Sequence, residues 1–219
     1  MPGPPAPWLA LPQADRHVSL ATLREHLRDR IPRLAILEPF HIRRTAAVLV
    51  PVHEMGGEAT VVLTRRPWEM RSHSGEVSFP GGGHDPTDAD LEDTALREAW
   101  EEIGLARECV EIIGQLDPLA SMTSGAHITP FVGAVHGPLA LVPAADEVAA
   151  ILHVPLRELL EDGVYHSERW PWAPGMEAGY PTADGLRPMH FFDLVGDTVW
   201  GATARMLFQL LLIATEADE

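Results

Sequence analysis

Leu96-Arg97-Glu98-Ala99-Trp100-Glu101-Glu102-Ile103-Gly104-Leu105 is the stretch that decides how this chain folds. Wound as a helix, it brings Glu98, Glu101 and Glu102 to neighbouring positions on one side, because residues three and four apart share a face. Ala95, Ala99 and Ile103 repeat at four-residue spacing on another side and can face a core. Three like charges held together are unfavourable unless positive charge sits among them. Mg²⁺ or Mn²⁺ meets that need, since hard cations prefer carboxylate oxygens and keep open positions for phosphates. A pair of glutamates on a helix is more often a solvated face, but the flanks change the reading here. The helix is entered through Phe79-Pro80-Gly81-Gly82, and its expected span is Asp90 to Ile103, capped by Asp90 and stopped by Gly104 in a left-handed conformation. Arg97 can pair with Asp93 and Glu101 and hold this face in register.

Working outward, Ser19 to Arg30 reads as a helix with Ser19 as N-cap and Leu20, Leu23 and Leu27 as its apolar stripe. Ala46–Val52 and Ala59–Thr64 are β-rich runs separated by Met55-Gly56-Gly57, a hairpin signal. Glu76 to Phe79 is a short strand entering a turn, Pro80 to Gly83. Val110–Ile113 and Ile128–Val135 are further strands, and Pro155 to Glu161 is a short helix with proline in its first turn. Residues 165–188 mix Trp170, Trp172 and Tyr180 with Pro171, Pro174 and Pro181, which predicts a long ordered loop. Val199 to Thr215 is apolar on most faces and predicts a buried helix. Strands and helices interleave without regular alternation, so the expected class is α+β, a mixed sheet between helices.

The chain has 219 residues and is expected to form one domain, 1–219, with a core of about 43–214 and a proline-rich extension, 1–17, running irregularly over the surface. Sixteen basic against thirty-two acidic residues give a net charge of −16. Such a field repels nucleic-acid backbones and anionic membranes, while a small anionic substrate stays accessible through bound cations. There is no apolar run of the ~18 residues that span a bilayer. The N-terminus lacks the basic start of a signal peptide, and the single cysteine, Cys109, reads as a small filler suited to a reducing cytoplasm.

At this point the chain resembles the Nudix hydrolase family, whose box reads G-x5-E-x7-R-E-U-x-E-E-x-G-U with U a bulky aliphatic residue. Arg97, Glu98, Glu101, Glu102, Gly104 and Leu105 match its second half, with Ala99 the smaller occupant of a U position. The first half departs. Counting back from Arg97 puts Gly83 at the glycine but Ala89 where glutamate belongs, whereas counting forward from Gly82 reaches Asp88 with one residue too many. A loop longer by one residue, with Asp88, Asp90 or Asp93 as the partner of Arg97, accounts for both. Val62-Leu63-Thr64-Arg65-Arg66-Pro67, followed by Arg71, Gly75 and Phe79-Pro80-Gly81-Gly82, is similar to the signature of coenzyme A pyrophosphatases within that family. Val62 stands for its first leucine, and Pro67 replaces a serine or alanine.

The resemblance implies the Nudix α/β/α sandwich and a Mg²⁺- or Mn²⁺-dependent hydrolase of coenzyme A or acyl-coenzyme A. Its metal ligands would be Glu98, Glu101 and Glu102, and its substrate contacts Arg66, Arg71, Gly75, Phe79, Gly81 and Gly82. Arginines fork onto phosphate oxygens, and glycines let backbone N–H groups approach a diphosphate. Glu147 is the candidate for a further acidic ligand or general base outside the box, the alternative being an acidic loop residue. Asp85, Asp88, Asp90 and Glu92 do not make a calcium loop, because Asp93 and Ala99 occupy its required glycine and glutamate positions. His53-Glu54 lacks a second histidine at zincin spacing. His73 and His84 flank the motif as surface or supporting residues. The 165–188 segment is a packed surface loop or a homodimer contact, with an acyl- or adenine-lining role as the alternative. Two other functions stay open: hydrolysis of a different nucleoside diphosphate derivative such as ADP-ribose or NADH, and a non-catalytic nucleotide-binding module.

Overall fold

The structure is a computed structural model that describes residues 1–33, 42–69, 74–121, 125–172 and 185–217. At its centre is β1 (Arg44–Met55), apolar toward both faces. Its hairpin with β2 (Glu58–Arg65) turns on Gly56 and Gly57, both at the positive φ that a two-residue hairpin turn favours. Around this pair the sheet adds β3 (Val77–Ser78), β4 (Gly81–Gly83), β5 (Val110–Gln115), β6 (Leu119–Ala120), β7 (Ala126–Val135) and β8 (Ala150–Pro155). The main path runs β3-β2-β1-β7-β5, with β8 also on β2, β4 on β1 and β6 on β7. β1 and β7 are parallel and the other pairs antiparallel, so the sheet is mixed. β4 takes Ala46 to Val48 and β2 takes Val52 to Met55. Pro51, which has no N–H to donate, falls in the gap between them.

Helices cover both faces. Ala47, Leu49 and Val62 meet α2 (Leu91–Ile103) through Ala95, Leu96, Ala99 and Ile103. On the other face Val50, Val52, Val61 and Leu63 pack with α1 (Leu20–Leu27), α3 (Leu156–Leu159) and α4 (Gly201–Thr215). This is the expected sandwich. Ser19 caps α1 by accepting from the Thr22 N–H at 3.1 Å, and α1 ends at Leu27 rather than Arg30. None of the described helices is long and apolar enough to cross a membrane.

Five expectations need correction. Residues 80–83 are not simply a turn, because Gly81–Gly83 pair with β1 as a strand. The predicted loop at 165–188 holds β9 (Tyr165–Pro171) and the start of β10 (Leu186–Leu194). With β11 (Asp197–Trp200) they form a second, antiparallel sheet in the order β11-β10-β9, and residues 173–184 lie outside the described residues. Inward Tyr165 and Ser167 give β9 its alternation, while Pro171 closes its end. Val199 and Trp200 belong to β11, so the last helix starts at Gly201. Pro155 ends β8 and stands at the N-cap of α3, rather than inside that helix.

The fifth correction is the N-terminal extension. Its prolines frame two short 3₁₀ turns, Pro7–Ala10 and Gln13–Asp15, and Trp8 is fully buried. The Trp8 ring meets Tyr165 edge-on at 5.1 Å, stacks with Phe192 at 6.4 Å and tilts against Phe208 at 5.6 Å. The Gly3 N–H donates to Ser167 O at 2.7 Å and the Arg169 N–H to Met1 O at 2.8 Å, so the segment straps itself along β9. Trp8→Ala is expected to cost about 3–5 kcal/mol of unfolding free energy, measured by urea denaturation. A loss below ~1 kcal/mol would mean the strap is peripheral to the core.

His190 on β10 is buried in the same cluster, its Nδ1 2.8 Å from Tyr165 Oη and its ring 4.2 Å from that of Phe208. Burial first, and the Arg205 charge second, push its pKa from the usual 6.5 down to about 3. The unfolded chain therefore takes up a proton near pH 6.5 that the folded chain refuses until far lower pH. The stability tied to this group is complete above pH 6.5 and declines as pH falls toward 3, by up to about 1.4 kcal/mol per pH unit. Denaturation at pH 7.5 and pH 5 should show a fall that is smaller in His190→Gln, and equal falls in the two proteins would show that His190 titrates normally.

Candidate active site

The site is assembled where β4 passes under α2. Asp90 caps the helix, its Oδ1 accepting the Asp93 N–H at 2.8 Å. Ahead of that cap, the loop folds Asp88 inward until its side chain is 2% exposed. Arg97 donates from Nε to Asp88 Oδ1 at 2.8 Å and from Nη2 to Oδ2 at 3.0 Å. Oδ2 also accepts from Thr94 Oγ1 at 2.8 Å and from the Asp85 N–H at 2.9 Å, while His84 Nδ1 lies 2.9 Å from Thr94 Oγ1. The Arg97 hydrogen bonds, foremost, hold the Asp88 carboxyl well below the usual carboxylate range. Of the three aspartates considered, Asp88 is the partner of Arg97. Asp93 instead accepts the Ala89 N–H at 2.9 Å and pairs with Arg107, which corrects the expected Arg97–Asp93 contact. Thr94 had no local signal in the sequence, because only closure of the loop brings it to Asp88.

With Nε and Nη2 committed, Arg97 Nη1 reaches Glu98 Oε1 at 3.0 Å and Glu101 Oε2 at 2.9 Å. Glu98 is pressed against β4. A Cβ on Gly82 would stand 2.4–2.6 Å from the carboxylate atoms of Glu98, and one on Gly81 would stand 2.4 Å from Val48 Cγ1 and 2.5 Å from Ala47 O. Glycine is required here because Gly81 lies against its neighbour strand β1 and Gly82 against Glu98 of α2, with no room for a side chain. Glu101 is about half exposed, whereas Glu102 is buried and receives the Gly81 N–H. Burial, then the charges of Glu98 and Glu147, push the Glu102 carboxyl up to about 7, against the pull of Arg66. Burial also raises Glu98, outweighing its bond to Arg97.

Glu147 arrives on a separate segment. The Val142 N–H donates to Ile103 O at 3.0 Å, Ala144 to Glu102 O at 2.9 Å and Ala149 to Arg65 O at 2.8 Å, which fastens residues 142–149 across the ends of α2 and β2. Glu147 is exposed there, close enough for Glu98 and Glu102 to feel its charge. Arg66 follows β2, its N–H donating to Glu76 O at 3.0 Å, and its buried Nε has no hydrogen-bond partner among the described residues. Glu98, Glu102, Glu147 and Arg66 are thus brought together.

The other expected site residues fare differently. Gly75, at φ +68°, lies directly under the Trp68 ring. Phe79 is buried in the core beside Val77, which corrects its expected substrate contact: its side chain anchors β3 to β4. Arg71 and His73 lie outside the described residues. Among the described residues, no three His, Cys, Asp or Glu side chains already form a closed ligand set, and Glu98 and Glu101 each give one oxygen to Arg97. The oxygen-rich donor set and the crowding at Glu102 nonetheless fit a hard divalent cation.

If Asp88 carries this corner, Asp88→Ala should lower Tm by roughly 3–8 °C and Asp93→Ala by less than about 2 °C, followed by thermal circular dichroism. Equal shifts would deny Asp88 its special place.

Residues 43–174 match the NUDIX domain family. The chain is 40% identical over 170 residues to a Nudix hydrolase of Cronobacter sakazakii, NudL, which is itself uncharacterised. That alignment covers 78% of this chain and 82% of the relative. A NudL of Yersinia pestis is 45% identical over 124 residues, spanning 57% of this chain and 61% of that protein. The crystal structure of a MutT/nudix family protein from Enterococcus faecalis shares the fold with a TM-score of 0.51 at 16% identity, over 88% of this chain and 68% of that one. The chain belongs to the Nudix hydrolases, enzymes that use divalent metal ions to cleave diphosphate bonds in nucleoside diphosphate derivatives.

Proposed function

We propose that this hydrolase cleaves the diphosphate of coenzyme A or an acyl derivative, releasing 3′,5′-ADP and 4′-phosphopantetheine or its acyl form, with Glu98, Glu101 and Glu102 holding Mg²⁺ or Mn²⁺. The observation that carries the reading is Glu102, a buried carboxylate crowded by Glu98 and Glu147 and relieved by Arg66 and the Gly81 N–H. Such a group either keeps its proton or meets a cation. A divalent ion bound there supplies positive charge to phosphoryl oxygens and lowers the pKa of water. Arg66, whose charge Glu102 feels, forks onto the diphosphate. Arg71, outside the described residues, adds a second phosphate contact. Backbone N–H groups of Gly81 and Gly82 line the approach. Glu147 takes the proton from water as its oxygen bonds to phosphorus and the bridging P–O bond breaks. Arg97 is held by Asp88 away from the substrate and positions Glu98 and Glu101.

The choice of coenzyme A is supported by the spacing of Arg66, Gly75, Gly81 and Gly82 in the pyrophosphatase signature. We also take residues 1–219 as one domain, which agrees with a single hydrophobic cluster joining Trp8, Val50, Phe192 and Leu207. A cytoplasmic site of action agrees with the single Cys109.

The test is a panel of coenzyme A, acyl-coenzyme A, ADP-ribose and NADH with Mg²⁺ or Mn²⁺ and product identification. The value of kcat/KM for coenzyme A should exceed those for ADP-ribose and NADH by at least about tenfold, or ~1.4 kcal/mol. Glu102→Gln should lose on the order of 10³-fold in turnover while keeping the wild-type fold. Equal or faster hydrolysis of ADP-ribose removes the coenzyme A assignment, and undiminished turnover in Glu102→Gln removes the metal-site assignment.

A further inference from the structure

An open groove of about 590 Å³ lies between the segment joining β2 to β3 and the second sheet, and the chemistry above makes no use of it. Trp68 forms one wall, and Trp170, Phe191 and Trp200 form the other. Three of the six tryptophans therefore meet at one surface, 67%, 36% and 43% exposed. Single exposed aromatics are ordinary on a protein surface, but indoles converging on one groove mark a binding site.

The walls are held in place. Trp170 leans on Phe191 at 6.2 Å, Phe191 stacks on His166 at 4.9 Å, and Trp170 Nε1–H donates to Glu168 Oε2 at 2.5 Å. Across the groove, a Cβ on Gly75 would stand 2.2 Å from the Trp68 ring, so glycine there is what lets the indole lie down. Arg65 pairs with Asp197 at 3.1 Å and ties β2 to β11.

The lining selects its occupant. Among the described residues it holds indole and phenyl rings and no aliphatic side chain, and the charged members are Glu76 and Asp197. Aromatic faces favour a flat ring. Arg66 adjoins the groove through its backbone bond to Glu76 O and faces Glu102 on the other side. A ligand spanning both places its phosphates beside Arg66 and an uncharged planar ring among the tryptophans.

We infer that the groove is the subsite for the purine base of the nucleotide substrate, gripped by stacking on Trp170 and Trp200 opposite Trp68. The inference rests on the reading that the chain hydrolyses a nucleoside diphosphate derivative and adds where its base lies.

The test uses the full chain, calorimetric titration with AMP, and ribose 5-phosphate as the base-free control. AMP should bind more tightly than ribose 5-phosphate. Trp170→Ala and Trp200→Ala should each weaken AMP at least about fivefold and leave ribose 5-phosphate unmoved. The same variants should raise KM for the diphosphate substrate while kcat stays within about twofold. Trp200→Phe, which keeps an aromatic face, should recover most of the affinity. Unchanged AMP binding in alanine variants that retain the wild-type Tm would overturn the inference. So would a Trp200→Ala that alters preference among acyl chains with AMP binding untouched, which would give the groove to the pantetheine arm. Tryptophan-dependent AMP binding without any diphosphate hydrolysis would support the subsite and defeat the hydrolytic reading, so the two can fail separately.

Discussion

The Asp88 carboxylate, almost wholly removed from water, receives two roughly parallel N–H bonds from Arg97, at 2.8 and 3.0 Å. A planar fork on a planar carboxylate fixes both distance and orientation, which a lysine ammonium cannot do. Two of the guanidinium nitrogens are thereby spent, so the third reaches Glu98 and Glu101. Positive and negative groups alternate from the loop into the helix, and the carboxylate face of α2 inherits its arrangement from this pairing. Thr94 and the Asp85 backbone complete the shell around Asp88, so neither of its oxygens is left unsatisfied in a dry pocket.

Against that stabilised corner stands Glu102, where the fold accepts an unfavourable arrangement. Its carboxylate is buried near two others in a chain whose net charge is already −16. Strongly perturbed groups of this kind gather at sites of chemistry, where the cost is tolerated because a ligand or cation relieves it. The glycines of β4 belong to the same economy of space. Gly81 brings its backbone N–H to Glu102, and at Gly82 any side chain would drive Glu98 away.

The sequence was most legible where one short periodicity carried the information. The span of α2, its Asp90 cap and its Gly104 stop could all be read from local spacing, because capping and a left-handed terminus are properties of a few adjacent residues. The displaced acidic partner of Arg97 was legible only as a choice among three aspartates, since which one turns inward depends on loop closure. The role of Phe79 was misread because a motif position cannot report which way a side chain faces. The second sheet went unseen for another reason. β9 and β10 contain Pro171 and Pro188 and surround a proline-rich stretch, and strand pairing across residues 171–186 is not a local property. β8 was missed as well, although Ile151, Leu152 and Val154 supply an apolar run, because the acidic loop before it and Pro155 after it drew the reading toward loop and helix.

The burial of Trp8 bears on how the molecule comes together in time. The indole is synthesised long before Tyr165, Phe192 and Phe208, which enclose it. Closing so long a loop adds little entropy per added residue, but contacts between distant parts of a chain form slowly. During translation the N-terminal segment must therefore wait with its tryptophan exposed while the central sheet can already collapse on α2. The wall made of β9, β10, β11 and α4 is finished only when the Trp8 segment packs against these later elements. Until then a nascent or stalled chain presents an apolar seam to chaperones and to other unfinished copies of itself.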